Sequence, residues 1–363
     1  MPAMKKTSEP HRPSEDSPRR AAPDKPVARF VTVGEEEMGQ RLDNYLIKHL
    51  KGAPKSLIYK VLRKGEVRVN KGRVKPEYRI KVGDVVRLPP LRLAESTEPG
   101  EASVGLKKRL EDSILYEDNG IIVIDKPSGL AVHGGSGVSL GLIEALRQAR
   151  PDAKLLELVH RLDRETSGCL LVAKKRSALR SLQDALRNHQ VSKTYLALVK
   201  GHWPKRKTFI ESKLEKYELA SGERRVKTSE EGKLSRTNFT VINYYDVGGV
   251  ECTLVEAVPV TGRTHQIRVH AQSIGCPLVG DDKYADDAFN EMMKKKGFKR
   301  LFLHAAKLSF PLPAMAEDTK TEIKTEIKTI EAELPDDLRV PLEKLRASAP
   351  LSARLSERTD HGH

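Results

Sequence analysis

The sequence predicts an α+β protein with one small and one large folded unit between polar ends. Three observations support this fold class. Apolar residues recur at helical spacing in residues 42–50, and short alternating stretches follow them. From about residue 106 to residue 310, strand-like and helix-like segments alternate. The ends are rich in Pro or polar residues and lack an apolar period.

Residues 1–37 form the first segment, which we expect to be a disordered basic tail. Residues 1–30 hold six of the 21 prolines, with Ser, Arg, Lys and Glu between them. Such a composition cannot bury enough apolar surface to offset the entropy lost on folding. The polar residues 349–363 are expected to form a second disordered tail.

Residues 38–100 are expected to form the small unit and a linker. Two helices and then short strands at 67–69 and 85–88 are predicted. The apolar residues of these helices are Leu42, Tyr45, Leu46 and Leu50, followed by Ile58, Val61 and Leu62. Residues 91–105 are rich in Pro, Glu, Ser and Gly, which is typical of a flexible linker.

The small unit carries most of the excess positive charge of the protein. Residues 38–90 contain 14 Lys or Arg and 4 Asp or Glu, whereas the whole chain has a net charge of +15. Such a concentration favours contact with a polyanion, and nucleic-acid backbone is the simplest candidate.

The three cysteines, Cys169, Cys252 and Cys276, are far apart and form no Cys-x-x-Cys pair. This spacing argues against a disulfide framework and a zinc ribbon, and it favours the reducing cytoplasm. No apolar run approaches the length of a membrane span, and the basic N-terminus lacks the apolar segment of a signal peptide. We therefore expect a cytoplasmic protein without membrane contact.

Residues 101–348 are expected to form the large unit. The pattern predicts strands at 121–124 and 195–199, and helices around 179–186, 264–274 and 335–347. Within this unit, residues 160–168 have the sequence His-Arg-Leu-Asp-Arg-Glu-Thr-Ser-Gly between two apolar runs. A loop between buried strands is a rigid support for a reactive side chain, here Asp163. The alternative is an aspartate that only caps a turn.

Residues 160–168 resemble the catalytic signature of the RluA-type family of RNA pseudouridine synthases. Four further segments resemble motifs of that family: 126–137, 193–197, 262–270 and 303–305. The small unit resembles the S4 RNA-binding domain at Arg41-Leu42-Asp43, at 65–70 and at 82–84. The resemblance extends from about residue 38 to residue 315, and less clearly to residue 347.

The resemblance implies the role of each site residue. Asp163 is expected to be the catalytic carboxylate, as a nucleophile or as a base toward the sugar. Arg268 is expected to pair with Asp163, and Tyr195 to stack on the uracil. Arg161 is expected to brace the gap left by a flipped nucleotide, and Leu303 to lie in the pocket. Because the reaction involves no redox change or phosphate transfer, we expect no metal or other cofactor.

The three histidines near these motifs have simpler interpretations. His160 is expected to hold its loop by hydrogen bonds. His265 and His270 are five residues apart, which is poor spacing for two metal ligands on one helical face, so a metal site is not expected.

The resemblance also implies the fold and the substrate. It implies a small S4 domain of the αL type and a catalytic domain with a mixed, mainly antiparallel sheet and a central cleft. The implied activity is conversion of specific uridines in 23S (large-subunit) ribosomal RNA to pseudouridine. Two alternatives stay open: a tRNA substrate, and a non-catalytic RNA-binding factor in ribosome assembly. A zinc deaminase is excluded because its His/Cys cluster with Glu is missing.

Overall fold

The computed structural model describes residues 27–50, 52–91, 100–134, 139–312 and 326–346. The chain divides into two compact units after residue 98. The predicted tails at 1–26 and 349–363, and residues 92–99 of the predicted linker, lie outside the described residues. In the described part of the chain, no helix has both the length and the apolar character that a membrane span requires.

The first unit packs two helices on a small antiparallel sheet. Its helices are α1 (Leu42–His49) and α2 (Lys55–Lys64), and its strands are β1 (Arg29–Thr32), β2 (Arg68–Val69) and β3 (Val85–Leu88). The strand order is β1-β3-β2. Gly65 ends α2 in the left-handed conformation, with φ of 69°, which glycine adopts without a steric penalty.

The predicted N-terminal tail was too long. Strand β1 pairs with β3 from Arg29 opposite Leu88 to Thr32 opposite Val85, so the ordered part begins before residue 38. The strand was missed because it has four residues and Phe30 is exposed, which leaves no clear alternation of buried and exposed positions. The linker was also predicted too long at its other end, because a helix begins at Val104.

Helix α2 separates its apolar and basic residues onto different faces. Ile58, Val61 and Leu62 are buried in the core of the unit. Lys60, Arg63 and Lys64 are exposed. The exposed cations of α2 therefore remain available to solvent or to a polyanion.

The second unit is built on one large sheet. Its helices are α3 (Val104–Asp112), α4 (Leu142–Ala149), α5 (Arg176–Arg187), α6 (Gln266–Ser273), α7 (Asp287–Lys295) and α8 (Asp336–Arg346). Its strands are β4 (Ile114–Glu117), β5 (Ile121–Lys126), β6 (Glu157–Leu158), β7 (Ser167–Ala173), β8 (Ser192–Lys200), β9 (Phe209–Glu218), β10 (Arg224–Thr228), β11 (Lys233–Asp246), β12 (Glu251–Pro259), β13 (Leu303–Pro311) and β14 (Ile327–Glu331).

The strands of this sheet follow the order β10-β9-β11-β12-β8-β13-β7-β5-β4, with β14 beside β13 and β6 beside β7. In the described part of the chain, β7 and β13 form the one parallel pair, with Ser167 opposite His304. All other strand pairs are antiparallel. The mixed, mainly antiparallel sheet that the family resemblance implied is confirmed.

The middle of the sheet is covered on both faces. Ile122 and Ile124 of β5 lie in a core cluster with residues of α4, whereas Ile121 and Val123 lie in a second cluster with residues of α5. This double burial explains why residues 121–124 are continuously apolar. The loop between β6 and β7 is therefore attached to the doubly covered middle of the sheet, which is a rigid support.

Candidate active site

The loop that carries Asp163 joins β6 to β7, which pair with each other. The His160 side chain is fixed at its start, where its Nε2 accepts a hydrogen bond from the Leu171 amide at 3.2 Å. Burial lowers the pKa of His160 to about 3, so its ring is neutral. His160 therefore holds the loop by hydrogen bonding, as expected.

Lys126 attaches a second loop to the loop of Asp163. Its side chain is fully buried, and Nζ donates to the carbonyl oxygens of Pro127, Leu130 and Arg164 at 2.8, 2.8 and 2.9 Å. The hydroxyl of Ser128 also donates to the carbonyl of Glu165 at 2.7 Å. The Lys-Pro-Ser-Gly sequence thus fixes the backbone that follows Asp163. Residues 135–137 of the same predicted motif lie outside the described residues.

All five predicted site residues line one cavity of about 530 Å³ in the second unit. They are Arg161, Asp163, Tyr195, Arg268 and Leu303. The order of the strands explains how Leu303, Tyr195 and Asp163 come to lie around the same cavity. Strand β13 lies between β7 and β8, so Leu303 at its start comes beside Tyr195 of β8 and the loop before β7. This cavity is the cleft in which we place the candidate site.

Arg268 enters the cavity from α6, but its direct partner differs from the expected one. Its Nε and Nη2 donate to the two carboxylate oxygens of Asp281 at 2.7 and 2.6 Å, and both side chains are buried. In the described part of the chain, no hydrogen bond joins Arg268 to Asp163. The hydrogen bonds of Arg268 go to Asp281 because the turn there, which follows α6, supplies a carboxylate that matches both nitrogens.

The charge of Arg268 nevertheless acts on the site. Burial opposes this charge, but the hydrogen bonds and attraction from Asp281, with a smaller attraction from Asp163, hold the pKa of Arg268 above its usual value. A permanently positive group therefore lies close to the Asp163 carboxylate.

Comparison with known proteins gives the same assignment as the motifs. The family model described as RNA pseudouridylate synthase matches residues 120–273, and the S4 domain model matches residues 40–86. Ribosomal large subunit pseudouridine synthase C of Haemophilus influenzae is 52% identical over 321 residues, covering 88% of this chain and 96% of that protein. The protein of the same name from Pasteurella multocida is 57% identical over 293 residues, covering 80% and 88%.

The chain belongs to the RNA pseudouridylate synthase family. A solved structure, human RNA pseudouridylate synthase domain containing 4, superposes with a TM-score of 0.52 at 29% identity, covering 67% of this chain and 96% of that one. Human RNA pseudouridylate synthase domain containing 1 superposes with a TM-score of 0.50 at 26% identity. The predicted family and the predicted S4 domain are confirmed.

The pseudouridylate synthase cleft contains two side chains whose role the sequence did not indicate. His265, just before α6, places Nε2 at 3.9 Å from Oδ2 of Asp163, and its Nδ1 lies 2.8 Å from the Tyr284 hydroxyl. Lys193 of β8 also lines the cavity, and burial lowers its pKa. Both residues stand inside the motifs used for the family resemblance, but His265 was weighed only as a metal ligand. The described residues contain no group of His, Cys, Asp and Glu that could hold a metal ion.

Helix α6 is anchored below the synthase cleft by a buried polar network. His270 lies within 2.9 Å of the Ser235 hydroxyl and 3.0 Å of the Thr237 hydroxyl, on strand β11. The Gln266 side chain donates to the Arg236 carbonyl at 2.9 Å and accepts from the Arg263 amide at 3.0 Å. Because burial lowers the pKa of His270 to about 4, this network holds a neutral imidazole.

Acid is expected to destabilise the synthase through its buried histidines. Burial lowers the pKa of His160 to about 3 and that of His270 to about 4, from the usual value of 6.5. The unfolded chain binds protons that the folded chain does not, so stability is complete above pH 6.5 and falls as the pH decreases. We expect the free energy of unfolding to fall by about 2 kcal/mol for each of these histidines between pH 7.5 and pH 5.

Urea unfolding at the two pH values measures this loss. His270→Gln keeps a donor and an acceptor for Ser235 and Thr237. Because glutamine does not titrate, this substitution is expected to reduce the change in the free energy of unfolding between the two pH values. His202→Gln changes an exposed histidine and is the matched control. A His270→Gln protein with the wild-type pH dependence would contradict the prediction.

Proposed function

We propose that this chain isomerises specific uridines of 23S (large-subunit) ribosomal RNA to pseudouridine, with Asp163 as the catalytic carboxylate. The names of the curated relatives support the substrate. One observation carries the catalytic assignment: Asp163 lies on a fixed loop in a cavity that also holds an aromatic ring and a buried arginine. These are the groups that a base-flipping enzyme without a cofactor needs.

The reaction breaks the bond from N1 of uracil to the ribose, turns the base, and joins its C5 to the same ribose carbon. C5 loses one proton and N1 gains one, so the reaction is a net isomerisation. Asp163 supplies the negative charge for this sequence, as a nucleophile or as a base toward the sugar. Its side chain is 21% exposed, so a nucleotide in the cavity has access to it. No electron is gained or lost, so the proposed reaction requires no metal or redox cofactor.

The residues around Asp163 have complementary roles in this proposal. The ring of Tyr195 provides a flat surface for the uracil, and burial raises its pKa so that the hydroxyl keeps its proton. Arg268 contributes positive charge close to the carboxylate, and Leu303 provides an apolar wall.

The target nucleotide leaves its helix to reach Asp163. Arg161, which is exposed at the cavity, is the residue that we propose to brace the gap in the RNA. In the described part of the chain, its guanidinium has no hydrogen-bonding partner, so it is available to phosphate or to an unpaired base.

The S4 domain supplies the second RNA contact in this proposal. Its exposed cations on α2 suit the backbone of structured RNA, which proteins recognise largely by shape and phosphate position. We place the reaction in the cytoplasm because the substrate is ribosomal and the three cysteines, all free, suit a reducing compartment.

Mapping of pseudouridine in cells that lack the chain tests the proposed function. We expect pseudouridine to disappear at a few positions of 23S ribosomal RNA and to return when the wild-type chain is supplied. Loss in tRNA alone would support the tRNA alternative and contradict the proposed substrate. Unchanged pseudouridine in both RNAs would contradict an enzymatic role on either.

A further inference from the structure

The hydroxyl of Tyr284 connects the cleft to an outer strand of the sheet. Its oxygen accepts a hydrogen bond from the Val226 amide of β10 at 3.0 Å and lies 2.8 Å from Nδ1 of His265. The two rings meet edge to face, with centroids 5.6 Å apart and an angle of 78° between their planes. Arg268 lies over the face of the Tyr284 ring at 5.1 Å.

These contacts favour one position for the proton of the neutral His265 ring. Burial raises the pKa of Tyr284 to about 12, so its hydroxyl has one proton to donate. Val226 already supplies the hydrogen bond that the oxygen accepts. The arrangement that uses every group has the hydroxyl proton pointing to an unprotonated Nδ1 and the ring proton on Nε2.

Burial of the His265 side chain favours the neutral ring. Burial lowers the pKa of His265; Asp163 and Asp281 favour protonation, whereas Arg268 and Lys283 oppose it. A neutral ring with its proton on Nε2 is a hydrogen-bond donor, and this nitrogen lies 3.9 Å from the Asp163 carboxylate.

The backbone at His265 holds the ring in this orientation at a cost. His265 has φ of 50° and ψ of 22°, a left-handed conformation that bulky residues seldom adopt. Gln266 fixes the adjoining turn, because its Oε1 accepts hydrogen bonds from the Thr261 hydroxyl and the Arg263 amide at 2.7 and 3.0 Å. Strained conformations of this kind persist where the surrounding contacts impose them, and they are concentrated at functional sites.

We propose that His265 is a positioning residue for the reaction: Tyr284 fixes its ring with the proton on Nε2, which orients the Asp163 carboxylate toward the substrate. The inference rests on the proposed catalytic role of Asp163. Contraction of the 3.9 Å gap when RNA binds gives the hydrogen bond, since catalytic contacts often tighten only in the bound complex. The donor keeps one carboxylate oxygen in place and leaves the other free to react.

Nuclear magnetic resonance of the histidine rings tests the fixed proton without any RNA. In the wild-type protein, long-range ¹H–¹⁵N correlations are expected to show His265 with its proton on Nε2. Tyr284→Phe removes the hydroxyl and is expected to give a mixture of both neutral forms. Tyr116→Phe on β4 is the matched control, because it removes a hydroxyl that donates to the Asp118 carboxylate, and Tyr116 does not line the cavity. A proton on Nδ1 in the wild-type protein would overturn the proposal.

Single-turnover rates at saturating RNA test the positioning role. Tyr284→Phe is expected to slow product formation by about tenfold and His265→Ala by more, with little change in RNA affinity. His265→Gln is expected to recover most of the rate lost in His265→Ala, because its amide nitrogen can occupy the position of Nε2. Equal rates for His265→Ala and wild type, or equal loss in His265→Gln and His265→Ala, would refute the positioning role.

The two proposals fail in different ways. If the wild-type chain forms no pseudouridine, the proposed function is wrong, and if Asp163→Asn forms it at the wild-type rate, the catalytic role of Asp163 is wrong, whatever the state of the His265 ring. If Asp163→Asn is inactive but Tyr284→Phe keeps both the wild-type proton position and the wild-type rate, only the inference about His265 is wrong.

Discussion

Asp163→Asn is expected to abolish pseudouridine formation and to leave RNA binding unchanged. The amide has the shape of the carboxylate but neither its charge nor its nucleophilicity, so we expect the single-turnover rate to fall by at least about 10⁴-fold. The fold should be retained, because this side chain is partly exposed and, among the described residues, none donates a hydrogen bond to its carboxylate. The measurement is pseudouridine formed in an unmodified 23S ribosomal RNA transcript.

Asp152→Asn provides the matched control for this substitution. Asp152 is exposed in the same unit and does not line the cavity, so we expect wild-type rates. Circular dichroism and RNA affinity establish that both variants are folded. Product formation by Asp163→Asn at the wild-type rate would remove the catalytic assignment.

Asp281→Asn is expected to destabilise the second unit by about 3–5 kcal/mol, because it leaves the buried guanidinium of Arg268 without its charged partner. The pair is deeply enclosed, with 3% and 0% of the two side chains exposed. Asp281 also accepts hydrogen bonds from the amides of Lys283 and Tyr284 at 3.0 and 3.1 Å, so the turn beside the cleft should loosen as well. Chemical unfolding measures the loss of stability, and the turnover rate should fall with it.

The adjacent carboxylate gives an internal control for the effect of burial. Asp282 lies 3.4 Å from the same nitrogen of Arg268, but 74% of its side chain is exposed. Asp282→Asn should therefore change the free energy of unfolding by less than about 1 kcal/mol. If Asp281→Asn and Asp282→Asn lowered the free energy of unfolding equally, burial would not explain the stabilising effect of the pair between Arg268 and Asp281.

The sequence predicted elements whose signal is local. Residues 121–124 are apolar at every position because both faces of β5 are buried, so the strand could be recognised from its own residues. The predicted helices at 179–186 and 335–347 correspond to α5 and α8. The site residues were found because each lies inside a motif, and the structure places all five around one cavity.

The sequence did not predict contacts that depend on distant pairing. Strand β1 is defined by β3, which lies more than fifty residues later and gives residues 29–32 no local pattern. The partner of Arg268 is Asp281, thirteen residues further along the chain, and the partner of His265 is Tyr284, nineteen residues away. Such pairs depend on how the turn after α6 folds back, which composition and periodicity do not specify.

The parallel pairing of β7 with β13 has a consequence for the order of events during synthesis. Ser167, which ends the loop of Asp163, meets His304 across 137 residues of chain. The core and the sheet of the S4 unit, by contrast, are formed by residues between Arg29 and Leu91. Since segments fold as they leave the ribosome and distant contacts must wait for their partners, a nascent chain should bind RNA well before it can modify it.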